Sequence, residues 1–192
     1  MNSDDKYEPH ILKASQIFGR NLILKNASHL DAQFILSLRT DEGKSKFLSK
    51  TSNDLKAQIE WLKEYESKKL GEAYFIIQTK DSQSIGTIRI YDEITDSFSW
   101  GSWILSKDAP PSAAIESALM IYEYAVNCLN FQSAHFEVLK ENQRVWQFHK
   151  RFGAIQTNED GEKYFFNIDK LSIHNSLMHY RKYLPDGIIV NE

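Results

Sequence analysis

The chain has 192 residues, 42% of them hydrophobic, which is enough for one well-buried core and too few for two. The formal net charge of -3 leaves no overall basic surface, so neither nucleic acid nor an anionic membrane is expected as a partner. Cys128 is the only cysteine, which excludes an internal disulfide and a multi-thiolate metal site, and no metal is predicted. The chain has no charged-then-apolar leader and no apolar run of membrane-spanning length, so we expect a cytoplasmic protein.

The first third of the chain predicts an arm, a strand and two helices. Residues 1–20 are rich in Asp, Lys and Ser, and we expect an N-terminal arm there before a strand at 21–25. A helix is predicted to begin at Ser28, which Asp31 follows at capping-box spacing. A second helix is predicted over 53–69, because apolar residues recur there at helical intervals and Gly71 follows.

The middle of the chain predicts three consecutive strands. The segments "EAYFIIQT" (72–79), "IGTIRIYD" (85–92) and "SFSWGSWIL" (97–105) are apolar, β-branched or aromatic. The polar segments between them are of hairpin length, so we expect an antiparallel meander. Trp100 and Trp103 lie three residues apart, and packing in the core on opposite faces of the last strand is one interpretation of them.

A long helix and a crossover follow the meander. Apolar residues recur at helical spacing from Ile115 to Leu129, and the strand "SAHFEVLK" (133–140) comes next. A strand–helix–strand order requires a crossover connection, so the strands on either side of the long helix are expected to be parallel neighbours. A helix over 142–152, a strand over 162–169 and a terminal helix ended by Pro185 complete the prediction. The order indicates an α+β protein built on a mixed sheet.

Three motifs in this order resemble the GNAT N-acetyltransferase superfamily, in particular the branch with the ribosomal-protein N-terminal alanine acetyltransferases. "IGTIRIYD" followed by "WGSWIL" is similar to that branch's third and fourth strands. "PSAAIESALMIYEYAVNCLNFQSAHFEV" is similar to its acyl-CoA loop, long helix and fifth strand, and "ENQRVWQFHKRFGA" to its final helix. The resemblance covers residues 21–169 and leaves a C-terminal helical extension over 170–192.

The resemblance implies both a fold and an activity. The fold would be the GNAT acyl-CoA N-acyltransferase fold, a mostly antiparallel central sheet with a parallel, splayed fourth and fifth strand pair and flanking helices. The activity would be direct transfer of the acetyl group of acetyl-CoA to a primary amine of a protein N-terminus, a small amine or an amino sugar. The enzyme would be a monomer or a homodimer without a metal. The alternative is a non-catalytic acyl-CoA-binding or regulatory module with the same fold.

The stretch "APPSAAIESA" (109–118) departs from the family pattern, because GNAT pyrophosphate loops usually contain glycines. Pro110 and Pro111 have no N–H group to offer an anion, although a proline at a helix start preorganises the turn. We therefore predict that the backbone N–H groups of the next five residues bind the coenzyme, and the alternative is an ordinary helix start. Those residues are Ser112, Ala113, Ala114, Ile115 and Glu116.

Other coenzyme contacts are implied by the resemblance. The fourth strand of the family offers backbone donors to the thioester and pantetheine arm, and its place is taken here by Ser102, Trp103, Ile104 and Leu105. Asn142 corresponds to a family asparagine that contacts the coenzyme arm, and it is also a good N-cap. Trp146 is expected either to wall the coenzyme or to pack in the core.

The catalytic residues are less well defined. His149 occupies the position where many GNAT enzymes have a tyrosine that protonates the departing sulfur, and an imidazolium is acidic enough to protonate a thiolate. Its alternative is a helix histidine that covers Phe152. Glu93, at the end of the third strand, is the predicted base, although at most one of Glu93 and the adjacent Asp92 would face the site on a regular strand. Asp96 follows closely, Glu60 and Glu64 of the second helix are equally placed to attract a cationic amine, and the alternative for all of them is a solvated surface acid.

Overall fold

The computed structural model describes residues 9–41, 43, 47 and 52–192, and in this part of the chain a central sheet contains nine strands. Their order across the sheet is β7-β8-β6-β5-β4-β3-β2-β1-β9. The strands are β1 (Gln16–Phe18), β2 (Leu22–Asn26), β3 (Ala73–Thr79), β4 (Ser84–Ile94), β5 (Ser97–Leu105), β6 (Ser133–Leu139), β7 (Ile155–Glu159), β8 (Lys163–Asp169) and β9 (Ile189–Asn191).

Five helices flank the sheet in the described ranges. They are α1 (Ala32–Arg39), α2 (Leu55–Ser67), α3 (Ala113–Glu123), α4 (Gln143–Arg151) and α5 (Lys170–His179). A single π-helical turn, Tyr124–Cys128, extends α3, and short 3-10 turns lie at His29–Asp31 and Arg181–Tyr183. None of the helices that the structure describes has the length and apolar character needed to cross a membrane.

The pairing of the strands confirms the predicted mixed sheet. β3, β4 and β5 form the antiparallel meander, and β5 and β6 are parallel neighbours joined by the crossover through α3. The strands β1, β7 and β9 were not predicted, because three to five residues give too short a pattern to recognise. β1 lies within the segment that the sequence indicates as an arm, and its Ile17 is fully buried.

The sheet is buried on both faces. On one face, α3 packs through Leu119 and Tyr122 in the larger core cluster, to which Phe75 of β3 belongs. On the other face, Ile35 of α1 and Leu62 of α2 share a smaller cluster with residues of β3. Successive side chains of β3 therefore enter two cores in turn, which explains why five consecutive residues, 73–77, are hydrophobic and buried.

Candidate active site

The parallel strands β5 and β6 separate soon after they begin. Only Ser97 with Ser133 and Phe98 with Ala134 form parallel pairs, and beyond them β5 remains paired with β4 and β6 with β8. A cavity of about 450 Å³ fills the gap, lined by 100–103 of β5, 136–139 of β6 and three residues at α4, Asn142, Val145 and His149. We call this cavity the cleft. It confirms the splayed strand pair that the resemblance implies.

A β-bulge shapes the β5 wall of the cleft. Thr87 pairs with Ile104 and Arg89 with Gly101, so Ser102 and Trp103 together lie opposite one residue of β4. Ser102 has a φ of 46°, in the left-handed region, and its carbonyl accepts a hydrogen bond of 2.8 Å from the Thr87 hydroxyl. A bulge takes part of the backbone out of the ladder. The backbone at Ser102 and Trp103 is therefore set apart from regular pairing at the edge of the cleft.

The same bulge changes the orientation of Trp103. Its ring lies 5.3 Å from that of Trp100 and 5.0 Å from that of Phe148, measured between centroids, and its Nε1 donates to the Ser117 hydroxyl at 3.2 Å. The expectation that Trp100 and Trp103 lie on opposite faces of the strand was wrong, because the extra residue of the bulge shifts the alternation. Ile104 is buried and Leu105 half-buried, and both pack against the core.

The start of α3 has fewer available donors than the sequence predicts. The N–H of Ala113 donates to the Pro110 carbonyl at 2.9 Å, and the N–H of Glu116 donates to Ser112 at 3.0 Å as the first bond of the helix. These two donors of the predicted five are thus already engaged. The N–H groups of Ser112, Ala114 and Ile115 have no partner among the described residues, as expected for a helix start.

A second cavity, of about 370 Å³, adjoins this helix start. We call it the α3–α4 cavity, because Ala114 and Ile115 line one side and Arg144 and Arg151 of α4 line another. The two arginines are exposed, and neither has an ion-pair partner within the described part of the chain. Free backbone donors and two guanidinium groups thus converge on one space, which suits an anion such as a pyrophosphate. Trp103 and Val145 line both this cavity and the cleft.

The carboxylate of Glu116 points away from the helix start. It is fully buried and accepts hydrogen bonds from the backbone N–H groups of Asn21 (2.6 Å) and Leu22 (3.0 Å) and from the Asn21 amide (2.9 Å). Neither its N–H nor its side chain is therefore available for the coenzyme, and the predicted contact at Glu116 is corrected. Its role in the structure is to hold the β1–β2 turn against α3.

His149 lies in the cleft but is buried, with 4% of its surface exposed. Its ring centroid is 4.1 Å from that of Phe136 and 5.1 Å from that of Trp100, and its Nδ1 has no hydrogen-bond partner in the described ranges. Burial lowers the pKa of His149 to about 3. The imidazole is therefore neutral at pH 7, and the imidazolium on which the predicted acid role depends is scarce.

The two other residues predicted at α4 differ in their placement. Asn142 lines the cleft, and its carbonyl caps α4 by accepting from Val145 (3.1 Å) and Trp146 (3.2 Å), while its side chain makes no capping bond. Trp146 is absent from the described lining of both cavities. Its ring packs edge-on against Tyr164, and its Nε1 donates to the Lys140 carbonyl at 3.2 Å. The structure therefore supports the second alternative for Trp146, which packs against β8.

The carboxylate of Glu93 makes its contacts outside the cleft. Its carboxylate accepts a hydrogen bond from the Ile11 N–H at 2.7 Å and contacts His10 Nδ1 at 3.0 Å. It does not appear among the described residues that line the cleft. The structure gives Glu93 the role of fixing the segment before β1, which corrects its prediction as the base. Asp92 contacts His135 Nε2 at 3.2 Å and is likewise outside the cleft lining.

A third cavity, of about 330 Å³, adjoins the cleft at Ser102. We call it the α1–α2 cavity, because Arg39 of α1 and Trp61 of α2 line it together with Tyr74 and Arg89 of the sheet. Arg39 and Ser102 line both this cavity and the cleft. Of its described lining residues, Arg39 and Arg89 are cationic and Asp54 is the one acid. The charge of Arg89 is balanced by its ion pair with Glu72, so the described lining has no excess of acidic groups that would attract a polycation.

Several of these lining residues were not predicted from the sequence. Arg144 and Arg151 are seven residues apart on α4, and two-turn spacing of cations opposite a helix start was the signal that could have found them. Tyr91 lines the cleft, and a Cβ on Gly101 would lie 3.0 Å from its hydroxyl, so this glycine permits the close approach. Among the described residues, no group of three or more His, Cys, Asp or Glu side chains could hold a metal ion.

Comparison with known proteins places the chain in a family. Residues 21–155 match the model described as the acetyltransferase (GNAT) domain. The structure described as apo FdhC, a nucleotide-linked sugar GNAT, is 36% identical with a TM-score of 0.75, and the alignment covers 90% of this chain and 97% of that one. No curated protein matches the chain.

More distant structures share the fold. A GCN5-related N-acetyltransferase from Brucella melitensis is 14% identical with a TM-score of 0.75, over 92% of this chain and 88% of that one. A chimera of spermidine N-acetyltransferase SpeG from Vibrio cholerae and hSSAT is 14% identical with a TM-score of 0.68, over 81% and 99%. With the family match over 21–155 and the cleft between β5 and β6, the chain belongs to the GNAT acetyltransferase family.

Proposed function

We propose that this protein transfers the acetyl group of acetyl-CoA directly to the amine of a nucleotide-linked amino sugar. The observation that supports it best is the row of three cavities along β5. The α3–α4 cavity meets the cleft at Trp103 and Val145, and the cleft meets the α1–α2 cavity at Arg39 and Ser102. Two substrates can therefore enter from opposite ends and meet at Ser102.

Acetyl-CoA would occupy the α3–α4 cavity and the cleft. Its pyrophosphate would accept hydrogen bonds from the N–H groups of Ser112, Ala114 and Ile115 and lie near Arg144 and Arg151. The pantetheine arm would run past Trp103 and Asn142, which line the way into the cleft. The thioester would then lie at the bulge, where backbone set apart from the ladder can donate to the carbonyl oxygen as it gains charge.

The reaction needs no covalent enzyme intermediate. The neutral amine attacks the thioester carbon, a C–N bond forms, and the C–S bond breaks to release the coenzyme thiolate. The amine must lose one proton and the thiolate must gain one. The amine of an amino sugar is less basic than an alkylamine, because the ring oxygen and the hydroxyl oxygens of the sugar withdraw electrons. It therefore reaches the neutral form without a strong base, which fits a cleft whose described lining has no free carboxylate beside Ser102.

His149 would act in its neutral form. A neutral imidazole keeps one N–H donor, so it can hydrogen-bond the departing sulfur without supplying an imidazolium proton. The burial that lowers the pKa of His149 to about 3 fixes this form across neutral pH. The proton gained by the sulfur would come from the amine through solvent in the cleft.

The proposed class of acceptor is supported by similarity to a known structure and by the charged residues of the α1–α2 cavity. The structure described as a nucleotide-linked sugar GNAT is 36% identical to this chain over nine-tenths of its length. The α1–α2 cavity is lined by Arg39 and by Arg89, whose charge Glu72 already balances, and these cations would attract a phosphate. The ring of Trp61 is 38% exposed, and an aromatic base or a sugar ring would pack against its open part. A spermidine-like polycation would instead require an acidic cavity.

A thiol-release assay with acetyl-CoA tests the proposal on four acceptors. UDP-glucosamine, free glucosamine, spermidine and a peptide with N-terminal alanine would be compared, with mass spectrometry to identify the acetylated product. We expect the highest kcat/KM for UDP-glucosamine. A higher kcat/KM for the peptide or for spermidine would refute the acceptor class, and acetyl-CoA binding without transfer to any amine would favour a non-catalytic acyl-CoA-binding module.

A further inference from the structure

We propose that the Tyr74 hydroxyl and the Arg89 Nε–H form a donor pair that recognises an oxygen atom next to the amine of the acceptor. The ligand class is an amino alcohol or amino sugar whose hydroxyl or phosphate oxygen accepts both hydrogen bonds. This inference rests on the proposed function, because it assigns the α1–α2 cavity to the acceptor. It goes beyond it by naming the atoms that would select an oxygen-bearing amine.

The sheet register brings the two donors together. Tyr74 of β3 and Arg89 of β4 are direct partners in an antiparallel pair. Side chains of such partners lie on the same face with their Cβ atoms about 4.5–5.5 Å apart. Both residues line the α1–α2 cavity, which confirms that this face of the sheet is turned towards it.

Both donor atoms are buried and unsatisfied. Tyr74 is 2% exposed, and neither its hydroxyl nor the Arg89 Nε has a hydrogen-bond partner in the part of the chain that the structure describes. Unpaired polar atoms of this kind cost free energy unless a ligand or a water molecule pairs with them. Two such atoms on neighbouring strands of one cavity wall point to a ligand rather than to an accident of packing.

The chemistry of the pair specifies what it can bind. Burial raises the pKa of Tyr74, and the Thr87 hydroxyl and Arg39 guanidinium offset this only in part. Both side chains lie near the phenol oxygen, but neither meets it in hydrogen-bond geometry, so the phenol keeps its proton at neutral pH and can turn it towards a ligand. A guanidinium has no acceptor atom. The pair can therefore donate two hydrogen bonds, and its partner must be an oxygen atom with lone pairs and not an ammonium group.

Neighbouring residues hold Arg89 in place. Its guanidinium forms an ion pair with Glu72, and its centre lies 5.3 Å from the ring of Trp61 and 5.1 Å from that of Tyr91. These contacts fix the orientation of the guanidinium and do not use its Nε–H, which stays free to donate to a ligand. Thr87, two residues earlier on β4, donates to the carbonyl of Ser102 at 2.8 Å. The donor pair thus lies close to the point where the two substrates would meet.

The test compares Tyr74→Phe with Tyr122→Phe. Each variant removes one buried hydroxyl without a described hydrogen-bond partner, but only Tyr74 lines the α1–α2 cavity. We expect Tyr74→Phe to lower kcat/KM for UDP-glucosamine and glucosamine by roughly 3- to 10-fold through KM, the effect of one neutral hydrogen bond. The kcat/KM for cyclohexylamine, a ring amine without oxygen, is measured at a pH high enough to supply its neutral form. This value and the KM for acetyl-CoA should not change. Tyr122→Phe should behave as the wild type.

Arg89→Lys provides a second variant that keeps the charge beside Glu72 and removes the Nε–H donor. It should lower kcat/KM for the sugar amines by about tenfold or more and leave cyclohexylamine unaffected. An equal loss for cyclohexylamine, an unchanged kcat/KM for the sugars, or a wild-type preference for spermidine would overturn the inference. If no amine is acetylated, calorimetry with UDP-glucosamine replaces kinetics, and absence of binding to the wild type also overturns it.

The outcomes separate this inference from the proposed function. If free glucosamine is acetylated as well as UDP-glucosamine, the nucleotide part of the proposed acceptor is wrong. The effect of Tyr74→Phe on glucosamine against cyclohexylamine would still decide whether the donor pair recognises oxygen.

Discussion

Removal of Arg151 or Arg144 should weaken coenzyme binding through the pyrophosphate alone. Both side chains line the α3–α4 cavity beside the free N–H groups of Ala114 and Ile115. A unit charge about 5 Å from a phosphate interacts with it by about 1 kcal/mol in water and about 3 kcal/mol at an effective dielectric of about 20. Because the arginines are exposed, a value of about 1–2 kcal/mol is appropriate, which is a loss of roughly 5- to 30-fold in affinity for each Arg→Ala change.

The assay is calorimetry with two ligands and a matched control variant. CoA contains the pyrophosphate, whereas S-acetylpantetheine lacks it, so Arg144→Ala and Arg151→Ala should weaken the first and leave the second unchanged. Lys150→Ala removes a neighbouring exposed cation that lies over the ring of Trp146 at 5.0 Å and does not line the cavity. It should bind CoA as the wild type does. Added salt should reduce the wild-type affinity for CoA more than that of either arginine variant.

Two results would refute this reasoning. An equal loss for CoA and S-acetylpantetheine would mean that the arginines support the structure of α4 and not an anion. A loss for Lys150→Ala as large as that for Arg151→Ala would mean that the general positive potential of the helix matters and not the position of the two guanidinium groups.

Three further variants test other parts of the site. Ala114→Pro removes an N–H that has no described partner, so it should weaken CoA binding by roughly 5- to 50-fold in a folded protein, and unchanged affinity would make the segment only a helix start. Glu116→Gln should lower the free energy of unfolding in urea by about 2–4 kcal/mol and leave the Kd for acetyl-CoA unchanged, because among the described residues its carboxylate accepts hydrogen bonds from Asn21 and Leu22 alone, and the reverse pattern would refute this. In the unfolded chain His149 binds a proton below its ordinary pKa of 6.5, whereas in the folded chain burial lowers this pKa to about 3. The free energy of unfolding therefore falls as the pH falls between these two values. Between pH 7 and 5 the wild type should lose about 2 kcal/mol more than His149→Phe, and equal losses would show that the histidine is not buried as a neutral group.

The elements that the sequence predicts well are those with long periodic patterns. The strands β3, β4 and β5 of the meander each have seven or more residues with runs of apolar, β-branched or aromatic side chains, and α3 repeats its apolar face over three turns. The bulge at Ser102 leaves no such trace, because it depends on how β5 pairs with β4 and not on residue type. The predicted placement of Trp100 and Trp103 on opposite faces was therefore wrong, although the strand itself was confirmed.

The site depends still more on contacts between distant segments. Glu116 is next in sequence to the residues proposed to bind the coenzyme, yet its carboxylate accepts hydrogen bonds from Asn21 and Leu22 of the β1–β2 turn. His149 was found by its position in a motif, but the rings of Phe136 and Trp100 from two other strands determine that it is neutral. A single sequence gives no access to such contacts, so charge and protonation in the site could not be predicted from it.

The start of α3 contains no glycine, and contacts with distant segments shape it instead. A turn closed by the Ala113 N–H and the Pro110 carbonyl fixes the backbone, and three N–H groups remain without a described partner beyond it. A first-turn carboxylate would normally oppose an anion there, but Glu116 is turned into the protein by the amides that it accepts from. The positive charge of Arg144 and Arg151 then faces the helix start unopposed by that carboxylate. We propose that the rigidity of the prolines, the acid turned away from the helix start and the two arginines facing it give the segment the anion-binding properties that glycine gives the loop in other members of the family.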